Sequence, residues 1–264
     1  MITVLTATYN RAYTLSRLYE SLARQTNESF EWVVVDDGST DNTLDLLAGF
    51  QKESSFPIKV LRQENAGKHI AINTGVLAEG HDWILLVDSD DALSPDAIEV
   101  FLNDLSAHSA QDIVGYCYRR ADLDGRLIGN VITDVADDSA IMLPVVAGPL
   151  YGGDLAYVFK RSVLLKHPFP RFEGEKFVPE LLIWNRISDD GKILYFHHKF
   201  IYLCEYLADG YSANFYRNLQ RNPKGFGSFY KEQIGRETNL VRKLKCTIRY
   251  VQCVLFNFKN RRVM

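Results

Sequence analysis

The sequence predicts an alternating α/β fold, a mostly parallel sheet flanked by helices, with a basic helical extension at its C-terminal end. Three observations lead there. Short apolar runs alternate with amphipathic helical segments over the first hundred residues, acidic residues recur where those runs end, and charge is divided unevenly along the chain. Repeated strand and helix units of this length imply parallel strands with helices on both faces. With 264 residues, 47% hydrophobic and 12% aromatic, the chain can bury a full core, which excludes a disordered tail.

The elements follow in order. "ITVLTA" at 2–7 reads as a strand, and Thr14 is placed to cap a helix with Leu15, Leu18 and Leu22 on one face. "EWVVV" at 31–35 is a short buried strand, followed by the turn and cap cluster "DDGSTDNT" and a helix facing inward through Leu44 and Leu47. "IKVLR" is a third strand and "GKHIAINTGVLAE" a third helix, with Gly75 an unusual residue inside it. "WILLV" at 83–87 is a fourth strand, after which Ser94 and Pro95, the latter at the first helical position, open a helix carrying Ile98, Phe101, Leu102 and Leu105.

From Arg217 onward there are 12 Lys and Arg against 2 Asp and Glu, a segment of +10 on a chain whose net charge is -3. That segment includes "RETNLVRKLKCTIRYVQCVLFNFKNRR", with Leu240, Leu244, Thr247 and Val251 at helical spacing and Cys253, Val254 and Phe258 widening the apolar face. Such a cationic amphipathic helix either lies on anionic lipid or packs on the body with a solvated basic face. No nucleic-acid motif accompanies the charge, so nucleic acid is not an expected partner. The four cysteines, Cys117, Cys204, Cys246 and Cys253, have no zinc or disulfide spacing. Without a signal-like start or a long apolar run, the expected location is cytoplasmic, peripheral at the inner face of the cell membrane if the basic end binds lipid.

"LLVDSDDALSPD" drives an apolar run into Asp88, Asp90 and Asp91. Carboxylates this close repel one another and need a cation, basic partners or water. Asp88 and Asp90, two residues apart in an extended segment, turn to one side and suit the oxygen coordination of Mg2+ or Mn2+. Ligands of parallel α/β sheets bind beyond the carboxyl ends of the strands, where Asp36 and Asp37 also fall. Asp96 reads only as a favourable charge at a helix N-terminus.

"TATYNRAYTLSRLYESLARQT", "VVVDDGSTDNT", "NAGKHIAINTGV" and "LLVDSDDALSP", in this order and spacing, resemble the nucleotide-binding half of a family-2 glycosyltransferase with the Rossmann-like GT-A fold. "GGDLAYVFKRSVL" and "FEGEKFVPELLIWNRI" resemble the acceptor half of bacterial members that build capsular or other surface polysaccharides. The resemblance implies a GT-A domain over 1–215, divided into a nucleotide-sugar half (1–110) and an acceptor half (111–215), before the basic extension 216–264. It implies a metal-dependent, inverting transfer from a nucleotide sugar, UDP-linked, to a glycan or lipid-linked acceptor. A divalent cation suits the charge that grows on a departing diphosphate.

By the same resemblance Asp90 is the direct metal ligand, with Asp88 either on the metal or reaching it through water or the ribose. Ala7, Thr8, Tyr9, Asn10, Arg11 and Ser89 border the donor, Asp37 either accepts the uracil N–H or only shapes its turn, and Asn65, Gly67 and Lys68 line the sugar-phosphate side, unless Lys68 is a solvated helix residue. Asp36 only caps its turn. A carboxylate must take the acceptor proton. Glu173, Glu175 and Glu180 are available, and the family pattern selects Glu180, although many members carry Asp there. Asp154 and Trp184 are expected at the acceptor, Trp184 either stacking on a sugar or in the core. His197 and His198 alternate in direction along a strand, so at most one reaches a metal. Two other classes stay open. A nucleotidyltransferase usually has a glycine-rich N-terminal loop, which "TATYNRAY" lacks; a non-catalytic binding protein of this fold would have lost the acidic triplet or the base.

Overall fold

The computed structural model describes residues 1–78, 80–109, 112–133, 135–205 and 214–261. Glu79, at the end of the expected third helix, and Arg262 of the basic end lie outside them. The first half runs β1 (Ile2–Thr8), α1 (Ala12–Ala23), β2 (Phe30–Asp36), α2 (Thr43–Glu53), β3 (Ile58–Arg62), α3 (Lys68–Ala78), β4 (Trp83–Leu86), β5 (Ala92–Leu93) and α4 (Ala97–Ala107). It continues with β6 (Ile113–Ala121), β7 (Ser139–Ile141), α5 (Pro144–Tyr151), β8 (Leu155–Lys160), α6 (Arg161–Lys166), α7 (Leu181–Ile187) and β9 (Lys192–Leu203). Three helices close the described chain, α8 (Phe215–Arg221), α9 (Pro223–Arg236) and α10 (Leu240–Arg261).

The sheet is ordered β3-β2-β1-β4-β8-β6-β9-β5, with β7 also on β9. Helical crossovers make β3, β2, β1 and β4 parallel, as expected from the repeat. The second half departs from that pattern. β8 runs antiparallel between β4 and β6, and β5 and β7 run antiparallel to β9, while β6 and β9 are parallel.

Period-two alternation sends neighbouring residues of each strand to opposite layers. Ile2 and Val4 join Leu15, Leu18, Leu47 and Phe101 on one face, whereas Leu5 joins Ala71, Ile72 and Val76 of α3 and Leu182 and Ile183 of α7 on the other. Gly75 has a packing reason: a Cβ there would meet Leu5 Cδ1 at 2.2 Å. α1 starts two residues before the expected cap, because Asp41 Oδ2 accepts Ala12 N (3.3 Å) from a neighbouring loop and Thr14 Oγ1 turns back to Arg11 O (3.2 Å). α4 starts after Pro95, since Ser94 Oγ donates to Asp96 Oδ1 (2.8 Å) and Ile98 N is taken by Gln25 Oε1 (3.1 Å). Among the described residues no helix is long and apolar enough to cross a membrane.

Candidate active site

Register aligns Thr8, Asp36 and Arg62 across the ends of β1, β2 and β3, so the loops that follow share one edge. Asn10, at φ 52°, accepts Thr40 N through Oδ1 (2.8 Å) and donates its own N–H to Ser39 Oγ (2.9 Å), which stitches the 8–12 loop to the 37–43 loop. Asp36 is buried and accepts Ser39 N (3.1 Å), a turn contact of the kind expected for it.

Asp37, 2% exposed, is placed differently from a side chain open to a base. Its carboxylate accepts Gln63 Nε2 (2.7 Å), Ala66 N (2.8 Å) and Gly67 N (2.8 Å), and its carbonyl accepts Asn65 Nδ2 (2.9 Å). Three of about four lone-pair positions are therefore spent on the 63–67 loop. Gly67, at φ 97°, packs so closely on the segment before α7 that a Cβ would lie 2.2 Å from Lys176 O. Thr8 is buried and its Oγ1 has no hydrogen-bond partner, Ser89 is also buried, Ala7 is half-buried, and Tyr9 is exposed.

The acidic triplet meets two cations. Lys68 Nζ pairs with Asp88 and lies 2.7 Å from Glu180 Oε1. Burial alone would lower the Lys68 pKa, but the Asp88 and Glu180 charges outweigh it and hold the ammonium above its ordinary value. Arg120 Nη1 lies 3.4 Å from Asp91 Oδ2 and 3.8 Å from Asp88 Oδ2, its guanidinium is 4.0 Å from the Tyr202 ring centroid, and its Nε donates to Leu155 O (3.2 Å). The Tyr202 hydroxyl accepts Asp88 N (2.8 Å) and hydrogen-bonds Asp91. Against burial, Lys68 and then Arg120 hold Asp88 below the usual carboxylate range. Burial and the Asp88 charge instead push Asp91 up to about 7 and raise Asp90, with Arg11 opposing at Asp90.

Arg120 and Tyr202 were not among the expected residues. The signal for Arg120 was present: two adjacent arginines inside the apolar strand "IVGYCYRRA", which period two turns to opposite faces. Arg119 points away and donates to the His197, Ile128 and Asn130 carbonyls. Asp154 is exposed, and its charge, after those of Asp88 and Asp91, favours the charged form of Arg120.

The three glutamates separate clearly. Glu173 is exposed. Glu175, 8% exposed, accepts Lys224 N and Gly225 N (2.8 Å each), the amides that follow Pro223 at the start of α9. Glu180 stands immediately before α7, a third exposed, against Lys68. Trp184 corrects an expectation. It is 4% exposed and packs against Phe159, Tyr157 and Phe169, so its ring faces are covered by core side chains rather than open to a sugar. His197 is buried with Nδ1 3.0 Å from Tyr151 OH, and His198 is exposed.

The residues present fit a divalent cation in chemistry. Asp90 is half-buried, and burial first and the Asp88 charge second raise its pKa, two effects that a bound cation would offset. Among the described residues no three His, Cys, Asp or Glu side chains converge as a cage. An ion here would take one or two carboxylates and complete its shell with diphosphate oxygens and water, as Mg2+ commonly does.

The fold is an α/β domain with an acidic edge, and comparison with known proteins shows what it is similar to. Residues 3–130 match the family model described as glycosyl transferase family 2. That match covers 128 residues, just under half of the chain, and marks them as similar to the family's domain. It is 31% identical over 206 residues to an uncharacterised glycosyltransferase of Nostoc sp., covering 74% of this chain and 58% of that protein, so it spans little more than half the relative's length. The crystal structure of S. aureus TarS 1-349 in complex with UDP-GlcNAc superposes with a TM-score of 0.71 at 18% identity, over 98% of this chain and 72% of that one. A mannosyltransferase from Pyrobaculum calidifontis in complex with GDP-Man and Mn2+ gives 0.62 at 16% identity, over 97% and 73%. At such identity the structural likeness establishes the GT-A fold.

Proposed function

We propose that this chain transfers a sugar, with inversion, from a UDP-linked donor to a glycan or lipid-linked oligosaccharide in surface polysaccharide synthesis, with Mn2+ or Mg2+. The observation that carries the reading is the Lys68 bridge. One ammonium contacts both Asp88 of the triplet and Glu180, so the residues expected to hold the diphosphate end and the acceptor proton share one site.

Glu180 is the base that takes the acceptor hydroxyl proton at a carboxylate oxygen as the hydroxyl attacks the anomeric carbon. Lys68 beside it orients that carboxylate and supplies positive charge toward a diphosphate. Asp90, with Asp88, would hold the cation, which when bound stabilises charge on the departing diphosphate. Arg120 and Tyr202 position Asp88 and Asp91. Thr8, its Oγ1 buried, lies with Ala7, Tyr9, Asn10, Arg11 and Ser89 along the nucleotide edge. Asp37 acts by holding Asn65, Gly67 and Lys68 in place, and Asp154 borders the acceptor.

Native-state binding raises stability by about 2.7 kcal/mol at a hundredfold excess over Kd, roughly 5 °C or more in a domain of this size. In a melting panel of UDP-glucose, UDP-GlcNAc and GDP-mannose, at least one UDP sugar is expected to give such a rise, larger with Mn2+. No shift from any of them, with or without the ion, would overturn the reading.

A further inference from the structure

Helix α10 has two unlike faces. On the inner one, Cys253 joins Leu219 of α8 and Phe226 of α9 in a small core, and Tyr250 and Cys253 share a cavity with Pro223 and Gly227 of α9. Opposite them, Val241, Leu244, Ile248, Val251, Leu255 and Phe258 are each between 50% and 62% exposed. Their spacing alternates three and four residues, which confines them to a stripe about 100° wide along a helix roughly 33 Å long. Single exposed apolar residues are ordinary, but six in line form a patch.

The charge around the stripe selects its partner. Arg242, Lys243, Lys245 and Lys259 are exposed, and no Asp or Glu occurs between Leu240 and Arg261. Two copies packed stripe to stripe would bring like charges together with nothing on the helix to neutralise them, whereas an anionic surface neutralises them all. We propose that α10 is an interfacial helix, which lays this stripe into an anionic lipid surface with the flanking basic residues over the headgroups. The packing also ties the surface to the chemistry. The first amides of α9 are held by Glu175, five residues before Glu180, so a lipid-bound α10 sets the height of the acceptor side above the membrane. That last consequence rests on the lipid-linked acceptor of the proposed function; the binding itself does not.

The test uses the full chain, since deleting α10 would uncover the core around Cys253. Co-sedimentation is measured with vesicles of phosphatidylcholine alone and with 30% phosphatidylglycerol, a composition of about one charge in three lipids, at low and high salt. Binding to the anionic vesicles is expected to be at least about tenfold stronger and to weaken with salt. The exposed-site variant Leu244→Glu/Leu255→Glu is expected to lose binding at every salt while keeping the wild-type melting temperature and the UDP-induced shift. Wild-type protein that ignores anionic vesicles at low salt would overturn the proposal. A concentration-dependent dimer in sedimentation velocity, dissociated by the same variant and unaccompanied by vesicle binding, would also overturn it and assign the stripe to a second copy. Because vesicle binding needs no turnover, either result is separable from failure of the transferase reading.

Discussion

Glu175→Ala tests the division of labour among the acidic residues before α7. The substitution removes both acceptors from Lys224 N and Gly225 N at the start of α9 and leaves those amides in a site only 8% exposed. Hydrogen bonds to a charged group contribute about 1.5–3 kcal/mol each. Part of that is offset in the wild type, because burial raises the Glu175 pKa, a sign of desolvation cost on the carboxylate. A net loss of about 3 kcal/mol follows, near 6 °C in melting temperature for a chain of this length. Glu175→Gln keeps one acceptor and falls between. Glu180→Gln, at a position a third exposed, is expected to melt like the wild type and to bind UDP, yet to fail in releasing UDP from whichever sugar nucleotide shifts the melt. Differential scanning fluorimetry and UDP release on the three variants decide the matter. A Glu175→Ala protein that melts normally but is catalytically dead would refute the capping role and move the base five residues upstream.

Other outcomes follow from the same contacts. Asp90→Asn, which keeps shape and removes charge, is expected to abolish the Mn2+ enhancement of UDP-sugar binding without lowering the melting temperature; wild-type transfer undiminished in EDTA would remove the metal from the reaction. Asp37→Ala leaves Gln63 Nε2 and two loop amides without their carboxylate, so both stability, by about 3 kcal/mol, and UDP affinity should fall together. Lost UDP affinity with an unchanged melt would mean that Asp37 reads the base directly. His69 is 3% exposed, and burial pulls its pKa down to about 4 from 6.5 despite Asp37 and the Lys176 carbonyl. The folded state therefore binds fewer protons than the unfolded between those values, so this group's contribution is complete above pH 6.5 and is lost as pH falls toward 4, roughly 3 kcal/mol in all. His69→Gln should flatten stability across that window in urea melts; an unchanged slope would place the acid sensitivity elsewhere.

Much of the first half was legible because its signals are local. The runs "ITVLTA", "EWVVV" and "WILLV" are strands by length and apolarity alone, and each ends at a polar residue that the fold places on the site edge. Helix starts were less so. Ala12 is capped by Asp41 and Ile98 by Gln25, partners 29 and 73 residues away that no local window contains. The same distance hid Tyr202, which reaches Asp88 across 114 residues. Glu175 and Glu180 could not be separated until α9, some fifty residues later, was seen to take Glu175. Trp184 was ambiguous for a different reason: a helix of seven residues with apolar "LLIW" does not say which side is covered until β8 supplies Phe159 and Tyr157.

The close approach of Gly67 to Lys176 bears on how chains of this fold can be recombined. The loop that Asp37 holds presses backbone to backbone on the strand of chain leading to Glu180, and that strand in turn is bound to the start of α9. An N-terminal half and a C-terminal half grafted from different relatives would meet at this seam with mismatched main chains, however well each half folded. Swaps that carry residues 172–180 together with 223–226, and keep glycine at 67, preserve the joint. Exchange of segments by cassette is thus easiest where they never touch it.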